Sequence, residues 1–128
     1  MLPWESDPSA YEALFREKCA RVAASFGAFD CPAPQCFASP PEGYRARAEF
    51  RVWHDGDELD YVMFDPKDRR TPVRIERFPA ALESIQELMP DLLAHLRDTP
   101  ILRKRLFQVE FMGSTTGELL VTLAYHRK

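Results

Sequence analysis

The sequence predicts an α+β fold, with a mostly antiparallel sheet of about five strands and two main helices packed on it. Segments in which every second residue is apolar, as in half-buried strands, cluster around a hairpin at residues 46–64. Apolar residues recur at helical spacing over residues 9–26 and 79–97. The chain has 128 residues, of which 45% are hydrophobic. This is enough for one modest core, so we expect residues 1–128 to form a single domain.

The central hairpin combines an apolar face with a charged face, because side chains alternate about a strand. The apolar face holds Ala46, Ala48, Phe50 and Val52, and the charged face holds Arg45, Arg47, Glu49, Arg51 and Trp53. Asp55-Gly56 supplies the tight turn, since glycine tolerates a positive φ. Side chains on one strand face lie roughly 6.6 Å apart, close to the spacing of phosphates along a nucleic-acid strand. The charged face is therefore a candidate phosphate contact, although a solvated face on which Glu49 pairs with its neighbours explains the same pattern.

The remaining elements follow from the same two periodicities. Three further strands are expected at residues 72–76, 106–111 and 118–125. Pro90 lies inside the second helical region, where it removes a backbone donor, so this region is predicted to kink or to form two consecutive helices. By the same alternation, Phe107 would by default belong to the core.

Charge and cysteines limit the partners of the chain. The formal net charge is −3, but the basic residues are clustered, which permits a local basic surface. The clusters are Arg45/Arg47/Arg51, Arg69/Arg70/Arg74/Arg77 and Arg103/Lys104/Arg105. Cys19, Cys31 and Cys36 are odd in number and are expected to be reduced thiols of a cytoplasmic protein. Cys31 and Cys36, separated by four residues and with no nearby histidine, do not make a four-ligand site, so no metal is predicted. The first residues lack the pattern of a signal peptide, and no stretch is apolar enough to span a membrane.

No catalytic machinery can be recognised in the sequence. The five glycines are isolated, so they form no glycine-rich loop between a strand and a helix. No serine, cysteine or threonine lies in a nucleophile motif. We therefore predict no catalytic or cofactor-binding residue in this chain.

The run YRARAEFRVWHDGDEL at residues 44–59 resembles the amino-terminal region of the bacterial tRNA (uracil-5) methyltransferases. That family uses S-adenosylmethionine to make ribothymidine in the T-loop. The likeness extends from Tyr11 onward and includes FPAA at residues 78–81, PILR at 100–103, LFQ at 106–108 and LAYHRK at 123–128. It covers only the front third of the family. The resemblance therefore implies a fragment of an enzyme whose catalytic domain lies beyond Lys128.

The resemblance also implies a role for particular residues. In the family a cysteine thiolate adds to C6 of the uracil, C5 takes the methyl group and a carboxylate removes its proton, all in the domain missing here. The fragment alone is thus expected to be inactive and to grip the RNA. Phe107 and His126 match positions that stack on loop bases, and Glu49 and Arg51 match positions that make polar contacts. Arg45 and Arg47 are added from the charged-face argument alone.

The expected partner is the T-arm of tRNA, with tRNA-like RNA as a further substrate, and the protein is expected to be a monomer that binds neither membrane nor metal. S-adenosylmethionine is expected to bind the full-length parent only. Two alternatives remain open at this point. One is a stand-alone module that binds RNA or protein without catalysis. The other is a purely structural domain, for which exposure of Phe107 and His126 would be unexpected.

Overall fold

The computed structural model describes residues 2–127, which fall into two compact units. The sheet unit consists of the chain up to Ser6 and from Glu42 onward, and the helical unit consists of residues 7–41. No helix among the described residues is long and apolar enough to cross a membrane.

The sheet unit contains five strands in the order β3-β2-β1-β4-β5, and each strand is antiparallel to its neighbours. The strands are β1 (Arg47–Asp55), β2 (Glu58–Asp65), β3 (Asp68–Arg74), β4 (Leu106–Gly113) and β5 (Leu119–Tyr125). Asp55 pairs with Glu58, so β1 and β2 are joined by a two-residue turn in which Gly56 has a φ of 61°. The predicted α+β class, the number of strands and the central hairpin are all confirmed.

Two strand predictions need correction. The third strand begins at Asp68, four residues earlier than predicted, because Asp65 pairs with Asp68 across a two-residue turn. The Asp65 carboxylate accepts a hydrogen bond from the Lys67 amide at 2.9 Å, which stabilises this turn. The first strand begins at Arg47, so Ala46 is exposed and does not join the apolar face.

Helix α2 (Glu83–Arg97) covers one face of the sheet, and a short helix, α3 (Pro100–Arg103), follows it. Helix α2 begins four residues later than predicted, because residues 78–81 form a turn closed by the Ala81 amide and the Phe78 carbonyl at 2.9 Å. The helix is continuous through Pro90, so the alternative of two consecutive helices is wrong.

The core lies between α2 and one face of the sheet. The Phe50 ring centroid lies 5.4 Å from that of Tyr61, 5.5 Å from that of Phe78 and 6.1 Å from that of Phe111. The Tyr61 hydroxyl donates to the Met89 carbonyl at 2.8 Å and so ties β2 to α2. Burial raises the pKa of Tyr61, because an ionised phenol would lose its hydration there. The opposite face of the sheet carries the charged side chains of β1.

The helical unit contains α1 (Tyr11–Ser25), preceded by a 3-10 turn at Pro8–Ala10. No residue of α1 is buried, and the apolar stripe predicted for it includes side chains as exposed as Leu14 (40%) and Val22 (47%). The Tyr11 hydroxyl lies 3.0 Å from the Ser39 hydroxyl, which links α1 to the segment that follows it.

Candidate nucleic-acid interface

The face of the sheet opposite the core, here called the open face, carries two side-chain clusters. The aromatic cluster consists of Arg51, Trp53, Phe64, Phe107 and His126, and the carboxylate cluster consists of Arg47, Glu49, Gln108 and Glu110. The clusters arise because β1 pairs with β4 on one side, which brings in Phe107, Gln108 and Glu110, and with β2 on the other side, which brings in Phe64. Five of the six predicted site residues lie in these clusters. Arg47, Glu49 and Arg51 come from β1, Phe107 comes from β4, and His126 follows the end of β5.

Phe107 reaches the open face through a β-bulge. The pairing of β4 with β5 advances two residues from Leu106 to Gln108 but only one residue from Tyr125 to Ala124, so Phe107 is the extra residue. Leu106 and Val109 remain in the core on either side of it. Simple alternation would have placed Phe107 in the core, and the bulge is the reason that it lies against open-face side chains instead.

Arg51 is the centre of the aromatic cluster. Its guanidinium carbon lies 5.0 Å from the centroid of the Phe107 ring and 6.0 Å from that of Phe64. Both distances fall within the range of attractive cation–π contacts. Within residues 2–127 the Arg51 side chain forms no ion pair and donates no hydrogen bond. The two rings therefore orient the guanidinium while leaving its donors unused.

Phe107 and His126 contact each other directly, with ring centroids 4.8 Å apart and planes inclined by 36°. A base inserted between the two rings would require a separation of about 7 Å, twice the usual van der Waals distance. Insertion of a base between the two rings therefore requires His126 to move. His126 is exposed, and its backbone amide donates to the Arg105 carbonyl at 2.9 Å.

The carboxylate cluster is internally paired. Arg47 donates to Glu110 at 2.7 Å and also bonds to Glu49, while Gln108 donates to the second oxygen of Glu49 at 3.3 Å. The hydrogen bond and charge of Glu110, and then the charge of Glu49, raise the pKa of Arg47 further above its ordinary value. The paired-face interpretation is therefore confirmed at this end of β1, where Arg47 already has two carboxylate partners.

Arg45 precedes β1, so its backbone lies outside the strand that was predicted to carry the charged face. It forms an isolated bridge with Ala81, its amide donates to the Ala80 carbonyl at 2.7 Å and its carbonyl accepts from the Leu82 amide at 2.9 Å. Its backbone joins the start of the hairpin to the turn before α2. A contact between its side chain and RNA stays a prediction.

The sequence prediction missed Phe64, Gln108 and Glu110 as members of the two clusters. The Trp53 and Phe64 rings meet edge to face at 6.3 Å, and 42% of the Trp53 surface remains exposed. Val62, directly opposite Arg51, is buried on the open face without belonging to the core cluster. Alternation along β2 would have placed Phe64 on the same face as Val62, but Gln108 could be found only from the register of β1 with β4.

The described residues provide neither a cluster of metal ligands nor a parallel pair of strands. No group of three or more histidine, cysteine, aspartate or glutamate residues within residues 2–127 is placed to hold a metal ion. Every strand pair in the sheet is antiparallel, whereas nucleoside cofactors are typically held at a glycine-rich loop that leads from a parallel strand into a helix. These residues therefore do not fit S-adenosylmethionine.

Comparison with known proteins identifies the family of the chain. Residues 10–128 match the sequence profile described as tRNA (Uracil-5-)-methyltransferase. The chain belongs to this family. The tRNA/tmRNA (uracil-C(5))-methyltransferase of Marinomonas sp. is 50% identical over 127 residues, which is 99% of this chain and 35% of that protein. Proteins with the same name from Dickeya chrysanthemi and Vibrio cholerae are 48% and 43% identical over 91% and 100% of this chain.

The chain spans about a third of the length of the tRNA/tmRNA (uracil-C(5))-methyltransferases that it matches, between 32% and 35% of each. The resemblance found in the sequence is therefore confirmed, including its restriction to the amino-terminal third of the tRNA (uracil-5) methyltransferases. The match includes both clusters of the open face, since it extends through His126.

Proposed function

We propose that this chain is the part of a tRNA (uracil-5) methyltransferase that binds the substrate RNA, and that its open face contacts the T-arm. The full-length parent would transfer a methyl group from S-adenosylmethionine to C5 of the T-loop uridine, acting as a cytoplasmic enzyme. The relatives are named for tRNA and tmRNA, so tRNA-like RNA is proposed as a second substrate. The 128-residue chain, as a monomer, would bind RNA without catalysing the reaction.

The observation that carries this proposal is the aromatic cluster. Single-stranded RNA is recognised mainly by stacking unpaired bases on aromatic rings or guanidinium planes. The Phe107 and His126 rings lie 4.8 Å apart, and the unpaired guanidinium of Arg51 lies over the Phe107 ring. A base laid on these rings would have aromatic contact and a charged donor within reach.

The carboxylate cluster supplies a different function at the other end of the open face. Glu49 is held through both of its oxygens, one by Arg47 and the other by Gln108. A carboxylate accepts hydrogen bonds, so an oriented Glu49 is suited to the N–H groups of a base edge and is unsuited to phosphate. We propose that Arg47 positions Glu49 and that Glu49 makes the contact to the loop.

The test is a binding titration of residues 1–128 against a T-arm hairpin and a hairpin of the same composition with a scrambled loop. Removing one base–aromatic stack costs about 1–3 kcal/mol, so Phe107→Ala should weaken binding to the native hairpin by about 5- to 150-fold. Binding to the scrambled hairpin should change little. Because Phe107 is the extra residue of a bulge and is only half-buried, its truncation leaves the core residues in place.

Phe37→Ala is the matched control, because it truncates an exposed phenylalanine of the helical unit that lies outside both clusters. It should bind both hairpins as the wild type does. Equal binding of the wild type to the two hairpins, unaffected by Phe107→Ala, would contradict recognition of the loop by this chain. It would instead favour a module that only holds the RNA backbone.

A further inference from the structure

Two neighbouring depressions lie beyond the aromatic cluster and share the side chains of His54 and Arg105. The first, of about 350 Å³, also includes the stacking residues Phe107 and His126. The second, of about 740 Å³, extends toward Arg103 and Lys104 at the end of α3. Together they form a trough that begins at the aromatic cluster, here called the basic trough.

The cationic side chains of the basic trough differ in whether they already have partners within the protein. Arg103 donates to the carbonyls of Asp57 at 2.9 Å and Arg97 at 3.2 Å, so it links the β1–β2 turn to the end of α2. Among residues 2–127, neither Lys104 nor Arg105 lies within 4.0 Å of a carboxylate. These two cations are therefore available to an anion from solution.

The acidic residues of the basic trough are Asp57 and Asp98, and both belong to its wider part. Arg97, which also lines that part, is paired with Asp60 at 2.8 Å and contributes no free charge. The narrower part contains no carboxylate among its lining residues and contains both Arg51 and Arg105. The balance of charge therefore favours an anion at the narrow end, next to the stacking residues.

Arg105 has an unusual backbone conformation, which sets the direction in which its side chain leaves the main chain. Its φ is 65°, and it is the one residue other than glycine with a positive φ in the described part of the chain. Its carbonyl accepts the His126 amide, and its guanidinium donates to the Arg127 carbonyl at 3.1 Å. The same bonds thus hold Arg105 and the stacking residue His126 together.

His54 forms the other shared wall. Its Nε2 lies 2.7 Å from the Leu106 carbonyl oxygen. A carbonyl can only accept, so Nε2 carries a hydrogen and the ring is held in one orientation against β4. The wall between the two depressions is therefore fixed by a bond to the residue that precedes Phe107.

From this arrangement we propose that the basic trough binds the RNA phosphodiester backbone next to the stacked base, with Arg105 and Lys104 as the phosphate-binding residues. The proposal deepens the proposed function and rests on it, because it assumes that the base lies on Phe107 and His126. A phosphate attached to that nucleotide would enter the narrow depression, which both stacking residues line. The backbone would then continue past His54 into the wider depression.

The experiment repeats the hairpin titration with Arg105→Gly at several salt concentrations. Glycine adopts a positive φ without strain, so this variant removes the cation and retains the backbone conformation. Binding to both hairpins should weaken by about 3- to 10-fold, and the slope of log Kd against log salt should fall by about 0.7–1, as expected for one lost phosphate contact. The ratio of affinities for native and scrambled loops should not change, because phosphates carry no sequence information.

Two further variants complete the test. Arg105→Lys retains the charge and should recover most of the salt slope, and Lys67→Ala removes a cation from the distant β2–β3 turn and should bind as the wild type does. A wild-type salt slope for Arg105→Gly would overturn the basic trough while leaving loop recognition intact. Loss of the loop preference in Arg105→Gly would also overturn it, because Arg105 would then act on a base or through its bond to the Arg127 carbonyl beside His126. Failure of the wild type to bind either hairpin would overturn both proposals.

Discussion

Strand β1 carries two arginines on the same face, four residues apart, and the sheet gives them opposite surroundings. Arg47 is paired with the carboxylates of Glu49 and Glu110, whereas Arg51 lies against the rings of Phe64 and Phe107. The charge of Arg47 is compensated by two carboxylates, and Arg47 holds Glu49 in place. Arg51 has no carboxylate partner within residues 2–127, so its charge and its donors remain available to a partner. The chemistry of each arginine is thus decided by what the neighbouring strands place beside it.

Among the variants that test the difference between Arg47 and Arg51, Arg51→Ala is expected to reduce RNA affinity the most. Hydrogen bonds to charged groups contribute about 1.5–3 kcal/mol, so loss of this guanidinium should weaken binding of the T-arm hairpin by about 10- to 100-fold. The affinity of Arg51→Lys should fall between those of the wild type and Arg51→Ala. An ammonium keeps the charge but loses the stacking of the planar guanidinium and its fork of donors. The measurement is the dissociation constant of residues 1–128 for the native hairpin, with the thermal midpoint of each variant as a check on folding.

Arg47→Ala is the matched control in the same titration, because it removes the same side chain from the same face of β1. Its effect on affinity should be several-fold smaller than that of Arg51→Ala. If Arg47→Ala weakened binding as much as Arg51→Ala, the distinction between a positioning arginine and a binding arginine would be wrong.

The comparison also shows how far the sequence could predict the molecule. Alternation along β1 and the Asp55-Gly56 turn were enough for the hairpin, since both depend on local spacing. The family resemblance named Phe107 and His126, whose rings lie 4.8 Å apart, and their stacking on loop bases stays a prediction. The bulge at Phe107 could not be predicted from periodicity, because it depends on how β4 pairs with β5.

The same limit explains the errors on the charged face. The strand pattern treated Arg45, Arg47 and Arg51 as equivalent, because a pattern contains no information about adjacent strands. Glu110 meets Arg47 only through the register of β1 with β4, and Arg45 falls before the strand because its backbone bonds to the turn at Ala80. Site chemistry on a sheet therefore requires the register, whereas the fold class requires only the periodicity.

A second prediction sharpens the contrast between the two faces of the sheet and concerns Tyr61 on the core face. Its pKa is raised by burial, so the folded state keeps the phenol protonated at pH values where the unfolded state ionises, above about 10. The contribution of Tyr61 ionisation to the free energy of unfolding is therefore fully present below about pH 10 and is lost as the pH rises further. The free energy of unfolding should fall by up to about 1.4 kcal/mol per pH unit from this source.

Tyr61→Phe removes both the ionisation and the hydrogen bond to the Met89 carbonyl. It should be less stable than the wild type by about 1 kcal/mol at pH 8, and the gap should narrow or reverse near pH 11. Urea unfolding of both proteins at the two pH values measures this, and their difference cancels the titration of the lysines and the other tyrosines. A constant difference between pH 8 and pH 11 would show that Tyr61 is not responsible.

The smallest expected effect concerns the carboxylate cluster itself. Glu49 and Glu110 are direct partners across β1 and β4, an arrangement of like charges that destabilises a sheet unless a cation lies between them. Arg47→Ala should therefore lower the thermal midpoint by about 1–2 °C, the scale of an exposed ion pair in a domain of this size. Adding Glu110→Gln to this variant should restore most of the loss, because it removes the repulsion, and about 1 M salt should reduce the loss by screening. Loss of the same size in the Glu110→Gln background would instead assign the stabilisation to packing of the Arg47 stem, and Glu49 would then be oriented by Gln108 alone.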